Sequence, residues 1–241
     1  MKISVIVPAF NEEKYLSKTL AKVKSASSVL TQYGWETELI VCDNNSNDRT
    51  AEIARAAGAK VVFEPVNHIS RARNAGASAA TGEWLVFVDA DSHPSAELFA
   101  DAAEEIRSGD CLAGGSTIRW DKKYFFAELM MPVLNLGFRW RRFLHGMFVF
   151  IEATAFRKLG GFSLETFAGE DWELGQRLSK FADETGKRFV ILHRHPILTS
   201  TRRLKEHSPL WPIKGLRYVL FPPRHIRIDR EKARRWYTGR R

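Results

Sequence analysis

Two aspartates, Asp89 and Asp91, close an apolar run from Trp84 to Val88. On an extended segment alternate side chains share a face, so these carboxylates project together with Ala90 opposite. Such a pair repels itself unless a proton or a cation lies between. A hard divalent ion with oxygen ligands, Mg2+ or Mn2+, suits it, above all one shared with a pyrophosphate. The same residues also read as a loop leading to a helix capped at Ser95. A second acidic group, Gly169-Glu170-Asp171-Trp172-Glu173, opens a helix. Its carboxylates either satisfy free N–H groups and the helix dipole or supply a general base over a sugar pocket. Gly160-Gly161-Phe162 just upstream allows backbone to approach a ligand closely. A third group, Ser70-Arg71-Ala72-Arg73-Asn74-Ala75-Gly76, sets two arginines near a helix start, as surface charge or to orient a base or phosphate.

The elements that must hold these residues alternate from the beginning. Lys2 to Phe10 reads as a buried strand. Apolar positions Leu16, Leu20, Val23 and Leu30 then recur at helical spacing until Gly34. Glu38 to Cys42 is a second strand, followed by a helix to Ala57 that Gly58 stops. Val61 to Phe63 is a third strand, 69–80 a helix, Trp84 to Val88 a fourth strand, and Ser95 to Ile106 a fourth helix. This order predicts an α/β fold with a mainly parallel sheet flanked by helices. Further on, 111–120 and 147–156 read as strands. They bracket an aromatic, Met-rich segment, Tyr124 to Phe143, rimmed by Lys122, Lys123, Arg139, Arg141 and Arg142. A helix follows Asp171, and Arg188 to Leu192 is a late strand. In such a sheet ligands bind beyond the carboxyl ends of strands. There the chain offers Pro8-Ala9-Phe10-Asn11-Glu12, Asp43-Asn44-Asn45-Ser46 and Asp89-Ala90-Asp91. The first is no G-x-G-x-x-G turn, so the dinucleotide fingerprint is missing.

Composition narrows the class. The chain has 241 residues, 44% hydrophobic and 27% charged, with two cysteines. Disulfide scaffolds and cysteine-rich zinc modules are excluded, and a reducing, cytoplasmic compartment follows. No stretch reaches the ~20 apolar residues of a spanning helix, and the first apolar run is too short for a signal-peptide core. The net charge of +9 is unevenly placed. Residues 202–241 hold 13 Lys and Arg against 3 acids, which leaves the other 201 residues near neutral. The simplest organisation is one domain over 1–201 with a basic extension over 202–241. Aromatics interleaved with that charge suit an anionic membrane as well as nucleic acid.

Together these residues resemble the family 2 glycosyltransferases, which have the GT-A fold. The matching string is ordered: PAFNEE after the first strand, CDNNSNDRT after the second, SRARNAGASAATGEWLVFVDADS, then GGF and GEDWELGQRL. It covers roughly residues 2–182. The resemblance implies a metal-dependent, inverting transfer of one sugar from a UDP- or GDP-linked donor to a hydroxyl acceptor, lipid-linked or on a cell-envelope glycan. It implies that Pro8, Ala9, Phe10, Asn11, Glu12 and Asp43 line the nucleotide pocket, with Asp43 reading the base and Arg73 near it. Asp89 and Ala90 would lie against the ribose or donor sugar. Asp91, with Asp89, would hold Mg2+ or Mn2+ on the diphosphate. Asp171 would be the catalytic base, with Glu170 the second choice. His193 or His195 would complete the metal shell, and Arg202 would reach the pyrophosphate or simply begin the basic extension.

Two departures matter. Family members often carry a second acid after the strand-2 aspartate, where this chain has Asn44. The Q-x-x-R-W motif and membrane helices of processive synthases are missing, which disfavours a polymerase. The rivals are a sugar-phosphate nucleotidyltransferase, which needs a Gly-rich, Arg-containing loop that PAFNEE does not provide, and a non-catalytic binding module driven by the basic extension. Membrane contact through Tyr124 to Phe143 and the extension would place the enzyme at the inner face of the cell membrane; nucleic acid is the less favoured partner.

Overall fold

The computed structural model describes residues 1–122, 125–166 and 169–201. The basic extension 202–241, with Arg202, and residues Lys123 and Tyr124 lie outside the described residues. The backbone elements run β1 (Lys2–Ala9), α1 (Leu16–Ser27), a 3-10 helix (Ser28–Tyr33), β2 (Glu36–Asp43), α2 (Thr50–Ala56), β3 (Lys60–Phe63), α3 (Ile69–Ser78) and β4 (Trp84–Val88). They continue with β5 (Ser92–His93), α4 (Ala96–Arg107), β6 (Cys111–Trp120), α5 (Phe125–Trp140), β7 (Phe148–Glu152), α6 (Ala153–Lys158), α7 (Glu170–Thr185) and β8 (Arg188–Thr199).

One sheet takes all eight strands in the order β3-β2-β1-β4-β7-β6-β8-β5. The first four are parallel to one another, because each is joined to the next by a crossover helix. Beyond β4 the sheet is mixed: β7 is antiparallel to both neighbours, β6 and β8 are parallel, and β5 is antiparallel to β8. All of β4 is buried, as an apolar run covered on both faces demands. One core lies under α1, α4 and α5, built on Leu16, Leu20, Leu98, Phe99, Leu134, Phe148 and Phe150. The other lies under α3, α6 and α7, built on Ile6, Phe87, Phe156, Phe162, Leu174 and Leu178. The Ser95 hydroxyl accepts from Leu98 N–H and caps α4.

Two elements differ from the sequence expectation. The apolar run 147–156 divides into β7 and a short helix, α6, which buries Ala153, Ala155 and Phe156; a short apolar run does not by its period tell strand from helix. The late strand runs on to Thr199. The residues His193-Arg194-His195-Pro196 that seem to end it form an irregularity, where Ser116 pairs with Leu192 and Ile118 with Ile197.

Candidate active site

The ends of β1 and β2 form one connected rim. Ala9 lies in register with Asp43. Asn11 takes φ 53°, a left-handed conformation that asparagine tolerates. It donates its N–H to Ser46 Oγ at 2.9 Å and accepts from Asn47 N–H with its side-chain oxygen at 2.9 Å. Glu12 N–H donates to Thr50 Oγ1 at 2.8 Å, deeper in the same rim. Asp43 is buried, and its carboxylate accepts from Ser46 N–H at 3.1 Å. The residues expected from sequence to hold a nucleotide, Pro8 to Glu12 and Asp43, are thus brought together.

Asn44 explains itself here. Its amide donates to the carbonyls of Glu64 and Val66, at 3.1 and 2.7 Å, while its oxygen accepts from His68 N–H at 2.9 Å. A carboxylate cannot donate to those carbonyls. The asparagine therefore shapes the path from β3 into α3 and so places Arg73.

Arg73 is 3% exposed at the centre of the site. One nitrogen donates to Asp89 at 2.9 Å and another to Glu170 at 2.6 Å. The guanidinium lies over the Phe162 ring, 5.1 Å from its centre. Gly146 makes room: a Cβ there would collide with the guanidinium. The neighbouring Asn74 grips the Gly161–Phe162 turn, accepting from Phe162 N–H at 2.9 Å and donating to its carbonyl at 2.8 Å. Gly161 needs its φ of 72° there and has no space for a side chain against Asn74.

Asp171 accepts from the N–H groups of Gly146 and Trp172, at 2.9 and 2.8 Å. Burial pushes the carboxyls of both Asp171 and Glu170 above the ordinary range, against the opposing pull of Arg73. Their roles separate on geometry: Glu170 is committed to Arg73, while Asp171 is held only by backbone. A wall of rings stands beside them. Phe143 stacks on Trp172 at 4.6 Å, and His145 packs against Phe138 at 4.1 Å. Burial holds the His145 imidazole down to about 3, so it is neutral.

Asp89 and Asp91 are both buried at the end of β4, 8% and 5% exposed, and the carbonyl of Ala90 between them accepts from Thr19 Oγ1. Among the described residues no three His, Cys, Asp or Glu gather as a metal cage. Two carboxylates, one shared with an arginine, are a donor set for an ion that keeps waters and substrate phosphates, as Mg2+ and Mn2+ do. His193 and His195 are not brought to this pair. His193 lines a separate cleft with Asp101 and Glu104, and His195 Nδ1 lies 3.0 Å from Asp101. The strand end itself does reach the pair: Ser200 N–H donates to the carbonyl of Asp91 at 3.2 Å. Sequence reasoning did not single out Asn74 or Gly146. Asn74 sits inside the quoted SRARNAG string, whereas Gly146 carries no local signal.

Comparison with known proteins bears on the family and the fold. The family model described as Glycosyl transferase family 2 matches residues 4–162. The chain is 45% identical over 96 residues to a 4,4'-diaponeurosporenoate glycosyltransferase of Staphylococcus haemolyticus, a stretch covering 37% of this chain and 24% of that protein. Among solved structures, S. aureus TarS 1–349 superimposes with a TM-score of 0.67 at 19% identity, over 98% of this chain and 78% of that one. A mannosyltransferase from Pyrobaculum calidifontis, in complex with GDP-Man and Mn2+, superimposes with a TM-score of 0.64 at 18% identity, over 91% of this chain and 70% of that one. The fold is therefore that of GT-A proteins. The chain spans about a quarter to a third of the length of the curated relatives it matches.

Proposed function

The chain belongs to glycosyl transferase family 2, and on that premise we propose that it transfers one sugar from a UDP- or GDP-linked donor to a hydroxyl acceptor, with inversion. The observation that carries this reading is the buried pair of neighbours at the start of α7: Glu170 locked to Arg73, and Asp171 presented on two backbone N–H groups. Asp171 takes the proton of the acceptor hydroxyl as that oxygen attacks the anomeric carbon. A single displacement from the face opposite the nucleoside diphosphate inverts the configuration. The rim of Pro8, Ala9, Phe10, Asn11, Glu12 and Asp43 holds the nucleotide. Asp89 faces the donor sugar and is fixed in place by Arg73, while Ala90 turns into the core under α1.

Asp91, with Asp89, would hold a divalent ion, Mg2+ or Mn2+, which when bound would neutralise charge on the departing diphosphate. The nucleotidyltransferase reading is not supported by the rim after β1, which has no Gly-rich, arginine-bearing loop. Residues 1–201 form the transferase domain and 202–241 an extension with Arg202 at its root. The acceptor is lipid-linked, in keeping with the ring wall of Phe143 and Trp172 beside the base.

The test is a panel of UDP- and GDP-sugars incubated with the purified chain, with Mn2+, with Mg2+ and with a chelator, reading free nucleoside diphosphate. Release with at least one donor, lost with the chelator and in Asp91→Asn, is the expected result. Release of pyrophosphate from a nucleoside triphosphate and a sugar phosphate would overturn it.

A further inference from the structure

The outward face of α5 is apolar. Leu129, Val133, Leu136 and Trp140 are 64%, 52%, 62% and 76% exposed. Their spacing of four, three and four residues places them in one stripe along the helix. The stripe cannot roll inward, because the opposite face is already anchored. Met131, Leu134 and Phe138 are buried in the core. Asn135 bonds the backbone of Ile118 twice, accepting from its N–H at 3.1 Å and donating to its carbonyl at 3.0 Å.

Basic charge marks the C-terminal end of the stripe. No Asp or Glu occurs from 129 to 147, while Arg139 is exposed and Arg141 lies over the Trp140 ring; Arg142 is paired with Asp183 of α7. At the other end, Thr201 bonds the side chain of Asp121 through both its N–H and its hydroxyl, at 2.9 and 2.8 Å. Beyond Thr201 the sequence, residues 202–241, carries 13 Lys and Arg against 3 acids.

We propose that this face of α5 docks on a lipid surface bearing anionic headgroups. An apolar stripe that ends in basic residues is how a helix lies in the headgroup layer, rings and aliphatic chains inward and arginines at the phosphates. The helix lies on the surface and does not cross it: its 16 residues span roughly 24 Å against a ~30 Å hydrocarbon core, and no described helix is long and apolar enough to cross a membrane. A second copy of the chain fits less well. Four such side chains expose on the order of 500 Å2, short of the roughly 800 Å2 per partner of a stable dimer.

Docking stands on its own observations. Its bearing on the reaction rests on the transferase reading: Phe138 in the last turn packs on Phe143, which stacks on Trp172 beside Asp171. A lipid surface at α5 thus brings a lipid-borne hydroxyl up to the base.

The experiment is flotation of the full chain with vesicles of phosphatidylglycerol and phosphatidylcholine, and of phosphatidylcholine alone, at low salt. The wild type should float with the anionic vesicles, and the double variant V133E/L136E should lose at least tenfold of the bound fraction with an unchanged melting temperature. Quenching of tryptophan fluorescence by brominated lipid should drop in Trp140→Phe, a readout that survives if the double variant folds poorly. No flotation of the wild type, or equal flotation of the double variant, overturns the proposal. So does a dimer in sedimentation that the double variant dissociates without any vesicle binding. Donor hydrolysis without vesicles tests the transferase reading separately, and its failure leaves the vesicle result standing.

Discussion

Arg73 lies 2.6 Å from Glu170, an ion pair that spans 97 residues of sequence and ties α3 to the start of α7. The same guanidinium holds Asp89 at the end of β4. One buried cation therefore sets the distance between the carboxyl end of β4 and the helix that begins with Glu170 and Asp171. Burial of the cluster makes this arrangement unforgiving, since each member loses its solvent if its partner goes.

Replacing Arg73 by Met should cost about 3–5 kcal/mol, the usual penalty of stranding buried carboxylates. Urea unfolding of the variant measures it. Arg73→Lys should recover only part, because one ammonium cannot span both acids as the planar fork does.

Glu170 and Asp171 should part in mutagenesis. Asp171→Asn should lower kcat by about 10^2–10^4-fold, the range of a lost general base, while the melting temperature stays near that of the wild type. Glu170→Gln should lower the melting temperature and retain more of kcat. Steady-state kinetics and thermal denaturation on the two variants check the division; equal losses of kcat would contradict it.

The pH dependence has a definite sign. Burial raises both carboxyls of the pair, so the acid limb of kcat/KM should lie above the ordinary carboxylate range of about 4 and activity should climb with pH through it. Stability from the pair moves the other way. A raised carboxyl binds its proton more firmly in the fold, so its contribution is complete below the unfolded value and is lost as pH rises through the folded one. Glu38 acts in the opposite sense. Burial works against its charge, yet hydrogen bonds from Ser4 and Thr81 hold it at about 2, so its contribution is present above the ordinary glutamate value and lost as pH falls. Unfolding free energies from pH 3 to 8, for the wild type, Asp171→Asn and Glu38→Gln, resolve the two.

Asn44→Asp, which introduces the second acid common in the family, should destabilise the chain by about 1–3 kcal/mol. It leaves the carbonyls of Glu64 and Val66 without their donor and sets a negative charge against them. Chemical denaturation is the measurement, and a neutral result would show that the turn can re-form another way.

Much of the first half was readable in advance because its strands are buried on both faces and its helices are punctuated. Trp84–Val88 is a five-residue, fully buried run between Gly82-Glu83 and Asp89, too short for a helix. The second half resisted. Between β4 and β8 the sheet turns antiparallel, and helix and strand succeed one another without a turn residue, as at Glu152 and Ala153. The histidines 193 and 195 looked like ligands because they follow a strand; the irregularity they occupy carries them toward Asp101 instead. What local pattern cannot show is a contact such as Gly146 against Arg73, where the only signal is the lack of a side chain.

Because Arg73 and Asn74 are neighbours on one helix, α3 grips two separate pieces of the distal half, the Phe162 turn and the first residue of α7. Any hybrid that joins the N-terminal half of this chain to the remainder of a homologue must therefore inherit compatible partners at both grips. Insertion of one residue within α3 would rotate them out of reach together, whereas a similar insertion in the surface turn at Gly34 would leave them in place.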